Sequence, residues 1–339
     1  MSRTDTPRAG TFRVSVDPVI TTWDFEFTDN GRQRIGVTLP APVFIHQEKR
    51  DTPLLIDFGI TNRIAVSVKL PLVRVNSRES YTVDSTGKPD SAGLALDSLL
   101  NDTTYGFGSL MNTNRRLHFF PGDAEVQAKY RFLQGANYAM SGTLLVRLPT
   151  GHQDSPNNLF DIATGDHQTD VELQFAQEVT LFRRLWWNSM IRVARQQPGT
   201  RARRVGPQSV LLLPRAALAT LNWDPGDYVA IDVAPMYRFS KTFGAGFTFG
   251  YFTKQRDHYT YRSAQDSTLL ATRLGAPVPA SVLDAETAEQ WTRLGVAITY
   301  TSPAYEGGLS FEQTVSGAGG HVPAASVFRI VMQTSRWPF

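Results

Sequence analysis

Charged side chains recur at every second position in several segments of this sequence, and their type and spacing could do chemistry. In residues 169–181, for example, Asp170, Glu172 and Glu178 alternate with apolar residues. Alternate side chains of a β-strand lie on one face, so these charges would share a face opposite an apolar one. The set predicted to line such polar faces is Asp57, Lys69, Glu125, Lys129, Arg131, Arg147, Asp170, Glu172, Glu178, Arg192, Asp232, Arg238, Arg293, Glu312 and Arg329.

Charges on a common inner face must be paired or hydrated, because an isolated charge in a dry interior costs several kcal/mol. In one interpretation the charges line a water-filled pore and set its selectivity, as the linings of channels do. In the other, opposite charges on neighbouring strands pair and fill a narrow barrel that conducts nothing. The sequence leaves both interpretations open.

Catalytic and metal chemistry find little support in the residue types. Cysteine is absent, which removes thiolate nucleophiles and cysteine-based metal sites. The histidines all fall in predicted loops, and no H-E-x-x-H motif occurs. The acidic loop residues carry oxygen ligands that suit Ca²⁺, but their spacing is wider than that of an alternating aspartate loop. These residues are Asp154, Asp161, Asp166 and Asp170. We therefore predict no enzymatic activity, catalytic residue, cofactor or bound metal.

Arginines in the predicted outer loops could bind lipopolysaccharide phosphates, or could be ordinary solvated charges. They are Arg115, Arg116, Arg201, Arg203, Arg204 and Arg256. The net charge is only +3, and the sequence has no basic stripe with interleaved aromatic residues. We therefore expect no nucleic-acid partner.

Alternation of apolar and polar residues also defines the elements that carry the charges. Residues 34–45 alternate as well and could lengthen a neighbouring strand or, with the first strand split at Pro18, raise the strand count to fourteen. The preferred prediction is twelve strands, over residues 11–27, 52–59, 61–75, 124–133, 136–149, 169–182, 184–196, 226–240, 242–254, 289–301, 304–315 and 326–338.

Very short turns join these strands in pairs and long connections separate the pairs, an asymmetry typical of outer-membrane barrels. No stretch reaches the roughly 20 apolar residues that a membrane helix needs. Barrel strands expose only every second residue to lipid, which agrees with a mean hydropathy of −0.24. We predict an all-β fold, a single transmembrane antiparallel up-and-down β-barrel over residues 11–339, after a disordered N-terminal extension over residues 1–10.

The expected location is the bacterial outer membrane, with its lipid and lipopolysaccharide as partners. Phe339 follows an alternating segment and resembles the signal that the barrel-insertion machinery recognises, which makes that machinery a further expected partner. No apolar segment of a signal peptide follows Met1, which is the clearest departure from this location.

Two apolar loop segments could cover or line the mouth of the barrel. Leu94, Leu96, Leu99 and Leu100 have near-helical spacing within residues 91–100. They predict either a lid over the mouth or a surface loop that buries its leucines against the rim. Residues 209–221 could line a path for hydrophobic molecules.

Residues 50–180 resemble a family of outer-membrane barrels described as transporters or as meta-pathway phenol-degradation proteins. The residues that carry the resemblance are Asp57-Phe58-Gly59-Ile60-Thr61-Asn62-Arg63, Lys69-Leu70-Pro71, Gly122-Asp123-Ala124-Glu125, Lys129-Tyr130-Arg131, Val146-Arg147-Leu148-Pro149-Thr150-Gly151 and Thr164-Gly165-Asp166. The resemblance implies an outer-membrane barrel of about twelve strands. It implies little chemistry.

Two functions are consistent with these observations. The first is a channel that passes small molecules, including hydrophobic or aromatic ones, across the outer membrane. The alternative is a non-conducting structural or receptor barrel that binds partners through its long loops. Unpaired charges around a wide lumen would favour the channel, and reciprocal pairs that fill the lumen would favour the alternative.

Overall fold

A computed structural model describes residues 4–81, 83, 88, 90–109, 119–207, 210–302 and 305–334. Within these ranges no helix is long and apolar enough to cross a membrane. Several residues singled out by the sequence lie outside the described ranges, namely Arg115, Arg116, His118, Ser209 and the terminal Phe339.

Strands dominate the described residues, which also include two α-helices and two short 3₁₀-helices in the long connections. The helices are α1 Ser91–Asn101 and α2 Ala264–Leu274, with 3₁₀ turns at Arg215–Ala217 and Ala280–Asp284. The strands are β1 Phe12–Val16, β2 Val19–Trp23, β3 Phe25–Thr28, β4 Gly31–Arg34, β5 Val43–Gly59, β6 Ile64–Tyr81, β7 Phe120–Pro121, β8 Glu125–Gln134, β9 Tyr138–Arg147, β10 Asp170–Leu181, β11 Leu185–Gln196, β12 Gly199–Arg204, β13 Leu218–Asp224, β14 Tyr228–Arg238, β15 Phe243–Lys254, β16 His258–Tyr261, β17 Glu289–Thr301, β18 Tyr305–Gly319, β19 Val322–Pro323 and β20 Ser326–Thr334.

Twelve spanning strands close into an antiparallel up-and-down barrel, as the sequence predicts. The first spanning strand is broken at Asp17 and Pro18 into β1 and β2, which both pair with β5 on one side. On the other side both pair with β20, and these pairings close the barrel. The break therefore bends one strand and adds none, so the alternative count of fourteen is wrong.

The barrel is inside out relative to a soluble protein. Outward side chains are apolar and exposed, as at Leu144, Phe175 and Ile191, which are 50%, 49% and 45% exposed. Inward neighbours on the same strands are polar and buried, as at Thr143 and Glu172, which are 3% and 2% exposed. This two-faced pattern suits a wall between lipid and a polar interior.

Residues 34–45 do not form a spanning strand, although they alternate. Ile35 and Leu39 instead pack in a buried cluster above the barrel. Strand β5 begins at Val43 rather than at residue 52. The same cluster contains Leu96 and Leu100 of α1, so the near-helical spacing is confirmed and these leucines are buried against the rim.

The end of the barrel with the long connections carries two small sheets that the sequence does not predict. One pairs β12, β13 and β16, and the other pairs β19, β3 and β4. A second buried cluster, which includes Leu221, Trp223 and Leu270, lies under the first of these sheets and α2. The long connections therefore form a folded cap over one mouth of the barrel.

Candidate functional site: the barrel lumen

A ladder of alternating charges crosses four neighbouring strands on one side of the lumen. Lys69, Glu125, Arg147 and Asp170 are successive cross-strand partners on β6, β8, β9 and β10. Lys69 Nζ lies 3.2 Å from Glu125 Oε1, and Arg147 Nε lies 3.7 Å from the same oxygen. Arg147 Nη1 donates to Asp170 Oδ2 at 2.6 Å. Opposite charges on directly opposed strand positions stabilise each other, so the register itself assembles this ladder.

The opposite wall carries three further pairs. Arg192 Nη2 lies 3.2 Å from Asp232 Oδ2, and Arg293 Nη1 lies 3.9 Å from Glu312 Oε2. Arg329 forms a two-armed pair with Asp17, at the break between β1 and β2. These pairs join neighbouring side chains along the wall rather than across the lumen.

The polar set continues toward both ends of the barrel. Near the short turns, Arg13 Nε donates to Asp57 Oδ2 at 2.7 Å. Nearer the cap, Tyr228 donates to Glu172. Lys129 lines the middle of the lumen. The guanidinium carbon of Arg238 lies 3.9 Å from the centre of the Trp186 ring.

The segment before β1 lies across the mouth at the short turns. Thr4 and Thr6 are buried, and the Thr4 N–H donates to Glu178 of β10. Asp5 pairs with Arg13 at 3.2 Å and with Arg131 at 3.1 Å. Residues 4–9 thus contact the inner wall, where the sequence predicts a disordered extension.

Three of the spaces in the lumen follow one another from the short turns to the cap. The inner vestibule, about 610 Å³ and lined by Asp5, Arg8 and Arg131, lies at the short turns. The central cavity, about 300 Å³ and lined by Lys69 and Arg329, shares Arg13 and Gln333 with it. The outer vestibule is about 630 Å³ and lies under the cap.

The charge ladder stands between the central cavity and the outer vestibule. These two spaces have no lining residue in common among the described residues. Lys69 lines the central cavity, Arg147 lines the outer vestibule, and both contact Glu125. Glu125 therefore contacts one cation of each space.

The sequence did not single out three of the pairing residues, Arg13, Asp17 and Tyr228. Arg13 alternates with Phe12 and Val14 in the first predicted strand, so the same alternation could have found it. Asp17 precedes the strand break at Pro18, where alternation is interrupted. Tyr228 lies an even number of residues from Asp232 and Arg238 on β14, so alternation places it on the same inner face, although an aromatic ring is not itself a polar signal.

Three of the motifs that carry the family resemblance, at residues 122–125, 146–151 and 164–166, meet at the outer end of the barrel. Asp123 is buried and accepts hydrogen bonds at 2.7 Å from the backbone N–H groups of Gly151 and Asp166. A Cβ atom on Gly151 would lie 2.6 Å from Gly165 Cα, so this close backbone approach requires glycine. These motifs fix the connection after β9 to the start of β8, which is a structural task.

The acidic loop residues do not converge on a common point. Asp154 pairs with Arg201 and Arg203, Asp161 accepts from the Ser155 N–H, and Asp170 belongs to the ladder. No cluster of three potential metal ligands occurs in the described parts of the chain. Two histidines assigned to loops lie on strands, His46 on β5 and His258 on β16. Each contacts a single aspartate, Asp24 and Asp284 respectively.

Known structures share this fold. An outer membrane channel from Pseudomonas putida F1 is 12% identical, with a TM-score of 0.62 over 98% of each chain. A deltaS2 mutant of the TodX monoaromatic hydrocarbon channel is 8% identical, with a TM-score of 0.45 over 98% of this chain and 91% of that one. The NanC porin is 10% identical, with a TM-score of 0.41 over 94% of this chain and 98% of that one.

Sequence comparisons add no further relationship. No family model matches the chain, and no curated protein matches it. The likeness to the Pseudomonas putida channel shows the fold of an outer-membrane barrel, whereas membership of the phenol-degradation family stays a prediction.

Proposed function

We propose that this protein is an outer-membrane channel that lets small solutes pass through its lumen. The observation that carries the proposal is the arrangement of the inward charges. They pair with neighbours along the wall and leave a succession of spaces, from the inner vestibule through the central cavity to the ladder. Charged walls around open space are what an aqueous pathway requires.

The outer surface supports the location in a bacterial outer membrane. Its exposed apolar side chains are contributed by strands all around the barrel, such as Val68, Phe175, Phe247, Ile298 and Phe328. A contiguous apolar belt of this kind would be unstable in water, and lipid is the environment that it fits.

The lining of the central cavity is mixed, which suits solutes that carry both polar and apolar groups. Asp17, Lys69, Lys129 and Glu312 border the cavity, and so do the apolar side chains of Pro53, Leu55, Met236 and Val331. Rings line the outer vestibule at Phe107, Trp223 and Tyr259, so aromatic solutes remain part of the proposal.

A non-conducting structural or receptor barrel is the second candidate. It is favoured by the reciprocal pairing of the inward charges and by residues 4–9, which lie across the inner mouth. The long connections that form the cap would then bind the partner.

Single-channel recording in a planar lipid bilayer separates the two candidates. Refolded protein with heat-modifiable migration, which reports a closed barrel, is added to one side. Steady open steps after insertion support the channel. Folded protein that inserts without current, even under strong applied voltage, would leave the non-conducting barrel as the better account.

A further inference from the structure

Arg204, the last residue of β12, is a buried cation without a described anionic partner. It is only 7% exposed, and its Nη atoms donate to Leu213 O at 2.7 Å and Asn157 Oδ1 at 3.2 Å. Its Nε–H is buried and has no hydrogen-bond partner. No carboxylate of the described residues forms an ion pair with it. A guanidinium carries five donors in a fixed fork, so this one has unused capacity for an anion.

The carboxylate that pairs with the other two arginines of β12 is already engaged. Asp154 forms ion pairs with both Arg201 and Arg203. Burial would raise the pKa of Asp154, but Arg203 and Arg201 outweigh burial and lower it to about 2. The pKa of Arg204, in contrast, is lowered by burial and by the nearby charge of Arg215. Among the described residues, Asp154 therefore pairs with Arg201 and Arg203 and leaves the charge of Arg204 without an anionic partner.

Arg204 borders the outer vestibule, whose lining combines charged side chains of both signs with apolar and aromatic ones. The guanidinium carbon lies 3.7 Å from the centre of the Phe107 ring. Leu211, Leu213 and Trp223 also line this space of about 630 Å³, together with carboxylates such as Asp161 and Glu286. The volume lies in the range of roughly 300–1,000 Å³ that is typical of small-molecule sites.

We propose that the outer vestibule binds a small solute that consists of a flat apolar group bonded to a carboxylate. Arg204 binds the carboxylate with its free donors, and the apolar and aromatic side chains contact the flat group. The inference rests on the proposed channel function, because the outer vestibule is the space that a solute would enter before the charge ladder.

Calorimetric titration of the folded protein in detergent tests this site without requiring current. The probe is benzoate, compared with benzamide, which keeps the ring but has no charge, and with acetate, which keeps the charge but has no ring. We expect saturable benzoate binding and at least about tenfold weaker binding of both comparison molecules, because benzamide loses the charge-assisted hydrogen bonds and acetate loses the contacts of the ring. Arg204→Gln should weaken benzoate binding by about the same factor. Arg256→Gln, at an exposed arginine that does not line the vestibule, should leave it unchanged.

Three results would overturn the site: no saturable benzoate binding, equal binding of benzoate and benzamide, or an Arg204→Gln protein that binds like the wild type. If Arg204→Gln fails to give a heat-modifiable barrel, the wild-type comparison of the three probes decides. Current without benzoate binding would remove this site and leave the channel. Benzoate binding without current would remove the channel and leave the site.

Discussion

Lys69 and Glu125 oppose each other on β6 and β8, with the ammonium nitrogen 3.2 Å from a carboxylate oxygen. The same oxygen lies 3.7 Å from Arg147 Nε on the next strand. One carboxylate thus joins a cation of the central cavity to a cation of the outer vestibule. This position makes Glu125 the residue through which the lumen should most directly control the passage of ions.

Cysteine accessibility should report which face of each strand is wet. The chain contains no cysteine, so single substitutions give clean probes. Ser310→Cys lines the central cavity, and a membrane-impermeant thiol reagent should modify it and reduce the single-channel current. Phe311→Cys, at the next position and 49% exposed toward lipid, should stay unmodified and leave the current unchanged. If the reagent modified Phe311→Cys and left Ser310→Cys unmodified, the face assigned to lipid would be the one that lines the lumen, and the assignment would be wrong.

Asp123 should be important for stability rather than for conduction. Asp123→Asn leaves one oxygen to accept the two backbone hydrogen bonds from Gly151 and Asp166, and should destabilise the folded barrel by about 1–3 kcal/mol. Denaturant unfolding in detergent measures this change. Gly165→Ala should also destabilise, because its Cβ would lie 2.5 Å from Asp123 Cγ, whereas Gly199→Ala meets nothing within 4 Å. Equal stability of the two glycine variants would contradict this assignment.

Residues 4–9 should narrow the inner mouth. Deletion of residues 2–9 removes Asp5 from Arg13 and Arg131 and opens the inner vestibule, so conductance should rise. Hydrogen exchange of the intact protein should show protection at the Thr4 and Ala9 amides, which donate to Glu178 and Asn62. Rapid exchange at both amides together with unchanged conductance would instead support the disordered extension that the sequence predicts.

Protonation of Asp154 at low pH should lower the stability of the cap. Its pKa falls from 3.8 to about 2 in the folded protein, because Arg203 and Arg201 outweigh the effect of burial. A carboxyl group with a lowered folded pKa contributes stability above its unfolded value and loses it as pH falls through the folded value. The contribution should therefore be constant down to about pH 4 and fall between about pH 4 and pH 2. Fluorescence of Trp223, which stacks against Arg201, should follow this change, and Asp154→Asn should abolish it.

Much of the barrel wall could be predicted from alternation, because lipid and lumen impose opposite polarity on successive residues. The segment predicted as 289–301 is β17, Glu289–Thr301, and residues 169–182 contain β10, Asp170–Leu181. Beyond the membrane this contrast disappears. The start of β5, from Val43 to Arg50, carries charges on a strand outside the lipid, and alternation missed it.

The cap escaped prediction for a different reason. Its small sheets and clusters depend on contacts between connections that are far apart in sequence. Its two helices had local signals: α1 has leucines at near-helical spacing, and in α2 Ser263 caps the first turn by accepting from the Asp266 N–H while Gly275 ends the helix with φ +76°. The sequence analysis treated Arg204 as a loop arginine and Asp154 as part of an acidic loop whose spacing does not fit a calcium site. Their common place in the lining of the outer vestibule follows from the fold of the cap and from no local pattern.

The reversal potential of single channels under a KCl gradient, recorded for the wild type and for Glu125→Gln, tests the proposed pathway most directly. The wild type should give steady open steps. Glu125→Gln should shift the reversal potential toward the value expected of an anion-selective channel, because one negative charge leaves the ladder while Lys69 and Arg147 remain. Asp224→Asn, at an exposed residue of β13 outside the cavities described above, should match the wild type. A folded barrel that carries no current would contradict the channel, and an unchanged reversal potential in Glu125→Gln would contradict passage past the ladder.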